Sequence, residues 1–270
     1  MKLKRTLCII GMLLMALASA ASFPVGKSKP QAVRKAYQRT GDEGIVTGTV
    51  LFAGRRPTGK HIDMSADPAC GMKHPNPMTE LIGLNKRRLA NVFVYIKRSS
   101  ALDELSFEPP RKTVILDQQG CRFVPHVLGI QTSQVLKILN SDPTTHNIHP
   151  APKNNTEWNV SQPPGAGPLV KQFTRAEVMI PIKCNQHPWM KAYLGVLSHP
   201  FFSVSDRNGA FRIEGLPAGN YTIAAWHEQL GEKTIDLTIL PRSQQNVDFK
   251  FSSSDHWPAD HWRTIAEAHR

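Results

Sequence analysis

The chain has 270 residues, with 33 Lys and Arg against 21 Asp and Glu, a formal net charge of +12 and 40% hydrophobic residues. Beyond the N-terminal segment about 250 residues remain, a length that suits two modest domains, and the 21 prolines and 18 glycines lie among short alternating runs that point to a mostly β chain. The basic balance favours an acidic protein or an anionic membrane surface as partner, with steering of encounter as the gain; nucleic acid is not an expected partner outside the cytoplasm.

Lys2, Lys4 and Arg5 precede the apolar run from Leu7 to Ala18, and Ala18-Ser19-Ala20-Ala21 follow. This is the pattern of a secretory signal peptide, residues 1–20. The run is shorter than the roughly 20 residues a span requires, and no later stretch is long and apolar enough to span a bilayer. The mature chain is expected in a periplasmic or secreted, oxidising compartment, with no transmembrane segment. Residues 21–42, with Lys27, Lys29, Arg34, Lys35 and Arg39 and no acid before Asp42, read as a flexible basic arm.

Residues 44–52 alternate as a strand, a loop-rich region carries Asp67-Pro68-Ala69-Cys70, and residues 91–96 form a second strand. Residues 113–116, 122–127 and 134–140 read as further strands, the last leading to His146-Asn147-Ile148-His149; His126, beside Pro125 in an apolar run, reads as structural. A Pro/Gly-rich loop over 163–168, with Trp158 packed nearby, precedes the β-leaning run 178–182, which ends in Cys184-Asn185-Gln186-His187-Pro188-Trp189-Met190. Residues 202–213 read as a hairpin about Asn208-Gly209, which supplies the positive φ of a tight turn. Strands over 221–223, 235–239 and 247–251 follow, and Trp226-His227-Glu228 reads as a solvent-facing strand end. In the tail, 254–270, Pro258 opens a short helix packing Trp262, Ile265 and Ala266 on the body.

The chemistry concentrates in Cys184, His187 and Met190, a C-x2-H-x2-M array of thiolate, imidazole and thioether. Soft sulfur donors suit Cu(I), imidazole binds either copper state, and a His2Cys set with a long axial Met is an electron-transfer constellation. A second imidazole must come from elsewhere. His146 and His149 are candidates, and on an extended strand a separation of three turns them to opposite faces, so only one can share the interior with Cys184. Zinc, held by His146, Cys184, His187 and one more donor, is the competing metal, although such sites usually bring C-x2-C pairs, and this sequence has none.

The His-Asn-x-His segment followed by C-x2-H-Pro-aromatic-Met resembles the cupredoxin family, in particular its amicyanin- and plastocyanin-like members, over residues 112–199. The resemblance implies a Greek-key β-sandwich or barrel holding one type 1 (blue) copper ion through His146, Cys184, His187 and Met190, with His149 turned outward. Asn147 would orient the ligands by hydrogen bonding, and Pro188 would stiffen the loop. His187 would reach the surface through an apolar patch formed with Pro188 and Trp189, the electron port.

A second pattern, Asp206-Arg207-Asn208-Gly209-Ala210-Phe211 followed by Leu216-Pro217-Ala218-Gly219-Asn220-Tyr221, resembles the carboxypeptidase regulatory-like, or transthyretin-like, β-sandwich. That pattern normally opens with G-x-V-x-G-x-V and N-V-x-V strands, found here at 44–50 and 91–94. The expected architecture is therefore all-β: a discontinuous immunoglobulin/transthyretin-like sandwich, 43–107 and 200–253, with a cupredoxin domain, 108–199, inserted. The insertion requires its ends, after Ile96 and near His199-Pro200, to lie close together. No peptidase residues carry over.

Cys8 leaves with the signal and Cys184 is assigned to copper, so Cys70 and Cys121 are expected to form a disulfide. The rival is a soft-metal site from Cys70, Met72, His74 and Met78. The functional expectation is an exported blue copper protein carrying electrons between periplasmic partners, such as a cytochrome or an acidic oxidoreductase. The alternative is a copper-binding accessory or assembly protein that docks through its sandwich onto a larger redox enzyme. Four ligands saturate the copper and no second histidine cluster is evident, so the chain itself is not expected to be an enzyme.

Overall fold

Strand Gly44–Ala53 buries every second residue, placing Val46, Val50 and Phe52 in a core. It pairs antiparallel with Ala210–Leu216 and parallel with Gln244–Asn246 and Phe249–Ser252. Strand Phe93–Arg98 lies between Phe202–Val204 and Gly219–His227, and the latter pairs with Gly231–Ile239. Both early strands therefore complete sheets whose other members come from the C-terminal part of the chain. The Ile96 N–H donates to the Phe201 carbonyl at 3.1 Å, so the departure and return of the intervening segment are adjacent. This is a computed structural model, and it describes residues 34–79 and 82–255. The expected signal peptide, most of the basic arm and the tail helix lie outside the described residues.

The intervening segment builds a second sandwich. One sheet orders Leu169–Lys171, Leu136–Asn140, Val114–Gln118 and Phe123–Val124; the other orders Val160–Gln162, His146–Pro150, Glu177–Lys183, Lys191–Leu197 and Val127–Gln131. Leu116, Ile130, Leu136, Ile138, Ile148, Ile180 and Leu194 fill the space between them. Two short helices, Pro68–Lys73 and Ser100–Asp103, are the only ones among the described residues, so the chain is all-β as expected. No helix among the described residues is long and apolar enough to cross a membrane.

The sandwiches meet over a third apolar cluster that includes Phe93, Tyr95, Val127, Tyr193 and Leu197. Gly129 and Gly195 are paired across parallel strands there. A Cβ on Gly195 would lie 2.3 Å from the Phe93 ring, and one on Gly129 would lie 2.4 Å from the Phe202 ring. Glycine at both positions lets aromatic rings of one sandwich rest on the strand backbone of the other.

Three local expectations need correction. The C-terminal part of the basic arm is ordered rather than flexible: Lys35–Ala36 pairs with Leu105–Ser106, and the Tyr37 hydroxyl donates to Glu43 at 2.9 Å. The loop-rich region after the first strand reaches across to the other sandwich, where Met64 and Cys70 enter its core. Trp226-His227-Glu228 is not a solvent-facing strand end. His227 is 2% exposed, and Glu228 is largely buried beneath His126, because this strand runs into the junction.

Candidate metal centre

His146 opens the strand His146–Pro150, and Cys184 follows the end of Glu177–Lys183, its antiparallel neighbour. The pairing of His149 with Lys183 brings the two motifs to the same end of the sheet. The turn after Cys184 closes through Met190 N–H to the His187 carbonyl at 2.9 Å and Cys184 N–H to the Met190 carbonyl at 3.3 Å. His146, Cys184, His187 and Met190 are all buried. Nδ1 of His146 lies 2.9 Å from Nδ1 of His187, and the Cys184 Sγ is 3.7 Å from His187 Nδ1. One donor atom from each of His146, Cys184 and His187 lies within 4.8 Å of the others. The Asn147 N–H points at the Cys184 sulfur at 3.4 Å.

The far nitrogen of each imidazole meets a carboxylate. His146 Nε2 is 3.0 Å from Asp142 Oδ2, and His187 Nε2 is 3.0 Å from Asp67 Oδ2. Burial works against the charge on Asp142, but the Lys73 ammonium, the N–H groups of Cys121 and Gly120, and His146 outweigh it and hold the carboxyl below its ordinary range. Burial likewise opposes Asp67, yet the Thr144 hydroxyl, the Cys70 N–H, His187 and the Ala69 N–H keep it low. Burial pushes His146 down against the pull of Asp142, and His187 adds to that lowering. Ionised carboxylates only accept hydrogen bonds, so each Nε2 carries a proton and the two Nδ1 atoms are left to face one another. At 2.9 Å, beside a buried thiol, the two Nδ1 atoms can be this close only with a proton or a metal ion between them. Carboxylate–histidine pairs of this kind fix the tautomer and raise the basicity of a ligating imidazole. The donor set fits a thiophilic, imidazole-binding metal ion.

Asn147 also accepts from the Asn185 N–H through Oδ1 and donates to Asn159, tying the two ligand loops together. His149 faces outward between Asn185, at 3.1 Å, and Glu157. Pro188 is exposed at the loop tip. Trp189 donates from Nε1 to the Cys121 carbonyl at 3.1 Å, with its ring centroid 5.0 Å from that of His187. A disulfide joins Cys70 to Cys121. The rival soft-metal set is not assembled: Cys70 is consumed in that bond, Met72 is 81% exposed, and His74 binds the Gly120 carbonyl.

His187 does not reach the surface. It is 4% exposed, because the segment carrying Asp67 folds over it. Asp67 also caps helix Pro68–Lys73, accepting from the Ala69 and Cys70 N–H groups, while Pro68 suits the first helical turn. Sequence reasoning overlooked Asp67, Lys73 and Asp142. Asp142 lies four residues before His146, and Asp67-Pro68 is a helix-start signature, but neither pattern places its carboxylate behind an imidazole, and Lys73 carries no signal of its own.

No protein-family model matches the chain, and no curated protein matches it. Among solved structures, the copper-containing nitrite reductase of Thermus scotoductus SA-01 is 17% identical over 38% of this chain, with a TM-score of 0.31. The match spans only 28% of that protein's length. A reduced amicyanin mutant is 15% identical over 38% of this chain and 97% of its own, with a TM-score of 0.28. A purple cupredoxin from Nitrosopumilus maritimus is 17% identical over 31% of this chain and 98% of its own, with a TM-score of 0.27. The structures it resembles thus include cupredoxins, and also an enzyme. The expectation that the chain is not an enzyme is corrected on that finding.

Proposed function

We propose that the protein is an exported copper protein whose ion would be held by His146, Cys184, His187 and Met190 and would transfer electrons. The observation that carries this reading is the pair of Nδ1 atoms converging at 2.9 Å beside the Cys184 thiol, with both rings held from behind by carboxylates. Bound copper supplies one-electron redox chemistry. The chain holds the geometry in which that change needs little rearrangement: Asp142 and Asp67 fix the two tautomers, Asn147 donates to the sulfur, and the segment tethered by Cys70–Cys121 excludes water. The disulfide and the N-terminal apolar run support an oxidising, periplasmic or secreted location. The basic balance of the chain suits an acidic redox partner such as a cytochrome.

In this reading the copper-holding sandwich is inserted into a carboxypeptidase regulatory-like sandwich, supported by the strand pairings of Gly44–Ala53 and Phe93–Arg98. Burial of all four donors favours retention of the ion over its delivery to an acceptor. Redox cycling of the copper-loaded mature chain in the presence of a Cu(I) chelator tests this. An electron-transfer centre cycles reversibly and keeps its metal; a chain that surrenders copper on each reduction is a delivery protein.

A further inference from the structure

A cavity of about 310 Å³ opens at the junction of the two sandwiches, with Trp189, Met190 and Ile62 on its apolar side and Arg122, His227 and Glu228 on its polar side. Its size and mixed lining are those of a small-molecule site. Glu228 is already engaged: His126 Nε2 lies 2.5 Å from Oε1, and the Tyr193 hydroxyl also bonds the carboxylate. His126 is held in turn through Nδ1 by the Lys191 carbonyl at 3.0 Å. Since a carbonyl only accepts, Nδ1 carries a proton, and a second proton is shared between Nε2 and Glu228. The pair is therefore neutral as a unit.

Two donors on the polar side remain unmatched. The Arg122 guanidinium has no carboxylate partner among the described residues. His227 accepts the Gln229 N–H at Nδ1, at 3.1 Å, which puts its proton on Nε2. No atom of the described residues accepts from it, and although the residue as a whole is 2% exposed, Nε2 is not among the fully buried atoms left without a partner and keeps contact with the cavity. Its acceptor is therefore supplied within the cavity, by water or by a bound ligand. A cation and a neutral donor flanking an apolar wall call for an anion with an apolar body.

We infer that this cavity binds a small organic carboxylate, its carboxylate taken by Arg122 and the His227 Nε2–H and its carbon chain laid against Trp189, Met190 and Ile62. Arginine suits the carboxylate end, because its planar fork can donate to both oxygens. The inference goes beyond the copper reading. Because Met190 is shared between the cavity and the donor set, a ligand here would also be felt at the metal.

The experiment is calorimetric titration of the copper-free mature chain with butyrate, and with butylammonium as a size-matched cation. Butyrate should saturate one site and shift the Trp189 indole N–H resonance, identified by its loss in Trp189→Phe; butylammonium should bind at least roughly tenfold more weakly. Arg122→Gln, at an exposed side chain, should weaken butyrate roughly tenfold, and His227→Gln should do likewise. If His227→Gln does not fold, Arg122→Gln alone decides. No saturable butyrate binding at millimolar concentration means that only water meets His227, and overturns the inference. Equal binding of the two ions, binding that leaves the Trp189 resonance unmoved, or an unaffected Arg122→Gln overturns it too. Omitting copper keeps this outcome separate from the metal centre: butyrate binding in a chain that takes up no copper sinks only the copper reading.

Discussion

Asp142→Asn isolates the anchor behind His146. The side chain is fully buried, and its oxygens accept from Lys73 Nζ at 2.8 Å, Gly120 N–H at 2.8 Å, Cys121 N–H at 2.7 Å and His146 Nε2 at 3.0 Å. Asparagine keeps the shape and one oxygen, which can still serve Gly120 and Lys73. Its amide nitrogen then replaces the oxygen that serves Cys121 and His146, setting donor against donor. Two buried donors lose a charged acceptor, and Lys73 loses its ion-pair partner. Breaking a buried, hydrogen-bonded charge network from one side costs about 3–5 kcal/mol. For a body of this size about 1 kcal/mol corresponds to roughly 2–4 °C, so the midpoint of the copper-free protein should fall by roughly 10 °C. Thermal unfolding followed by far-UV circular dichroism, with the disulfide intact, reads this directly. A fall of less than about 2 °C would mean that the carboxylate is not the anchor described here.

Reduction of Cys70–Cys121, or its replacement by Cys70→Ala with Cys121→Ala, should destabilise the chain by up to about 4 kcal/mol, since the bond closes a loop of 51 residues; an unchanged urea midpoint would contradict this. Gly195→Ala forces a Cβ onto the Phe93 ring at 2.3 Å, and should cost about 1–3 kcal/mol by the same measurement. Burial pushes His227 and His199 down to about 4 from the ordinary 6.5. The unfolded chain therefore takes up these protons first, and stability should fall as pH drops from about 6.5 to 4, by up to roughly 3 kcal/mol for His227 alone. Urea midpoints that stay level across that window would refute the buried, neutral assignment.

What could be read in advance was local. Cys184, His187 and Met190 share one turn, so donor chemistry singles them out, and three-residue spacing on a strand lets only one of His146 and His149 join them; the family resemblance, not the spacing, chose His146. The strand motifs at 44–50 and 91–94 are legible for the same reason, because alternation and turn glycines are properties of a few adjacent residues. The carboxylate behind His187 was not legible, since Asp67 comes from 120 residues away and its approach depends on a cross-link and a helix cap acting together. The same distance explains why His187 was expected at the surface. Nothing in Pro188-Trp189 reveals that the segment carrying Asp67 folds over the neighbouring His187. His227 and Glu228 were misread because alternation assigns a face within one sheet, and their burial arises at the junction of two.

The central claim is that the paired imidazoles and the Cys184 sulfur hold copper together. Titrating the copper-free mature chain with Cu(II) and recording visible absorption tests it most directly. The account predicts an intense blue thiolate-to-copper band that saturates at one equivalent, vanishes in Cys184→Ala, and persists in Met190→Leu with an altered reduction potential. A colourless Cu(II) adduct of the unmodified chain, or a band that survives Cys184→Ala, would contradict it.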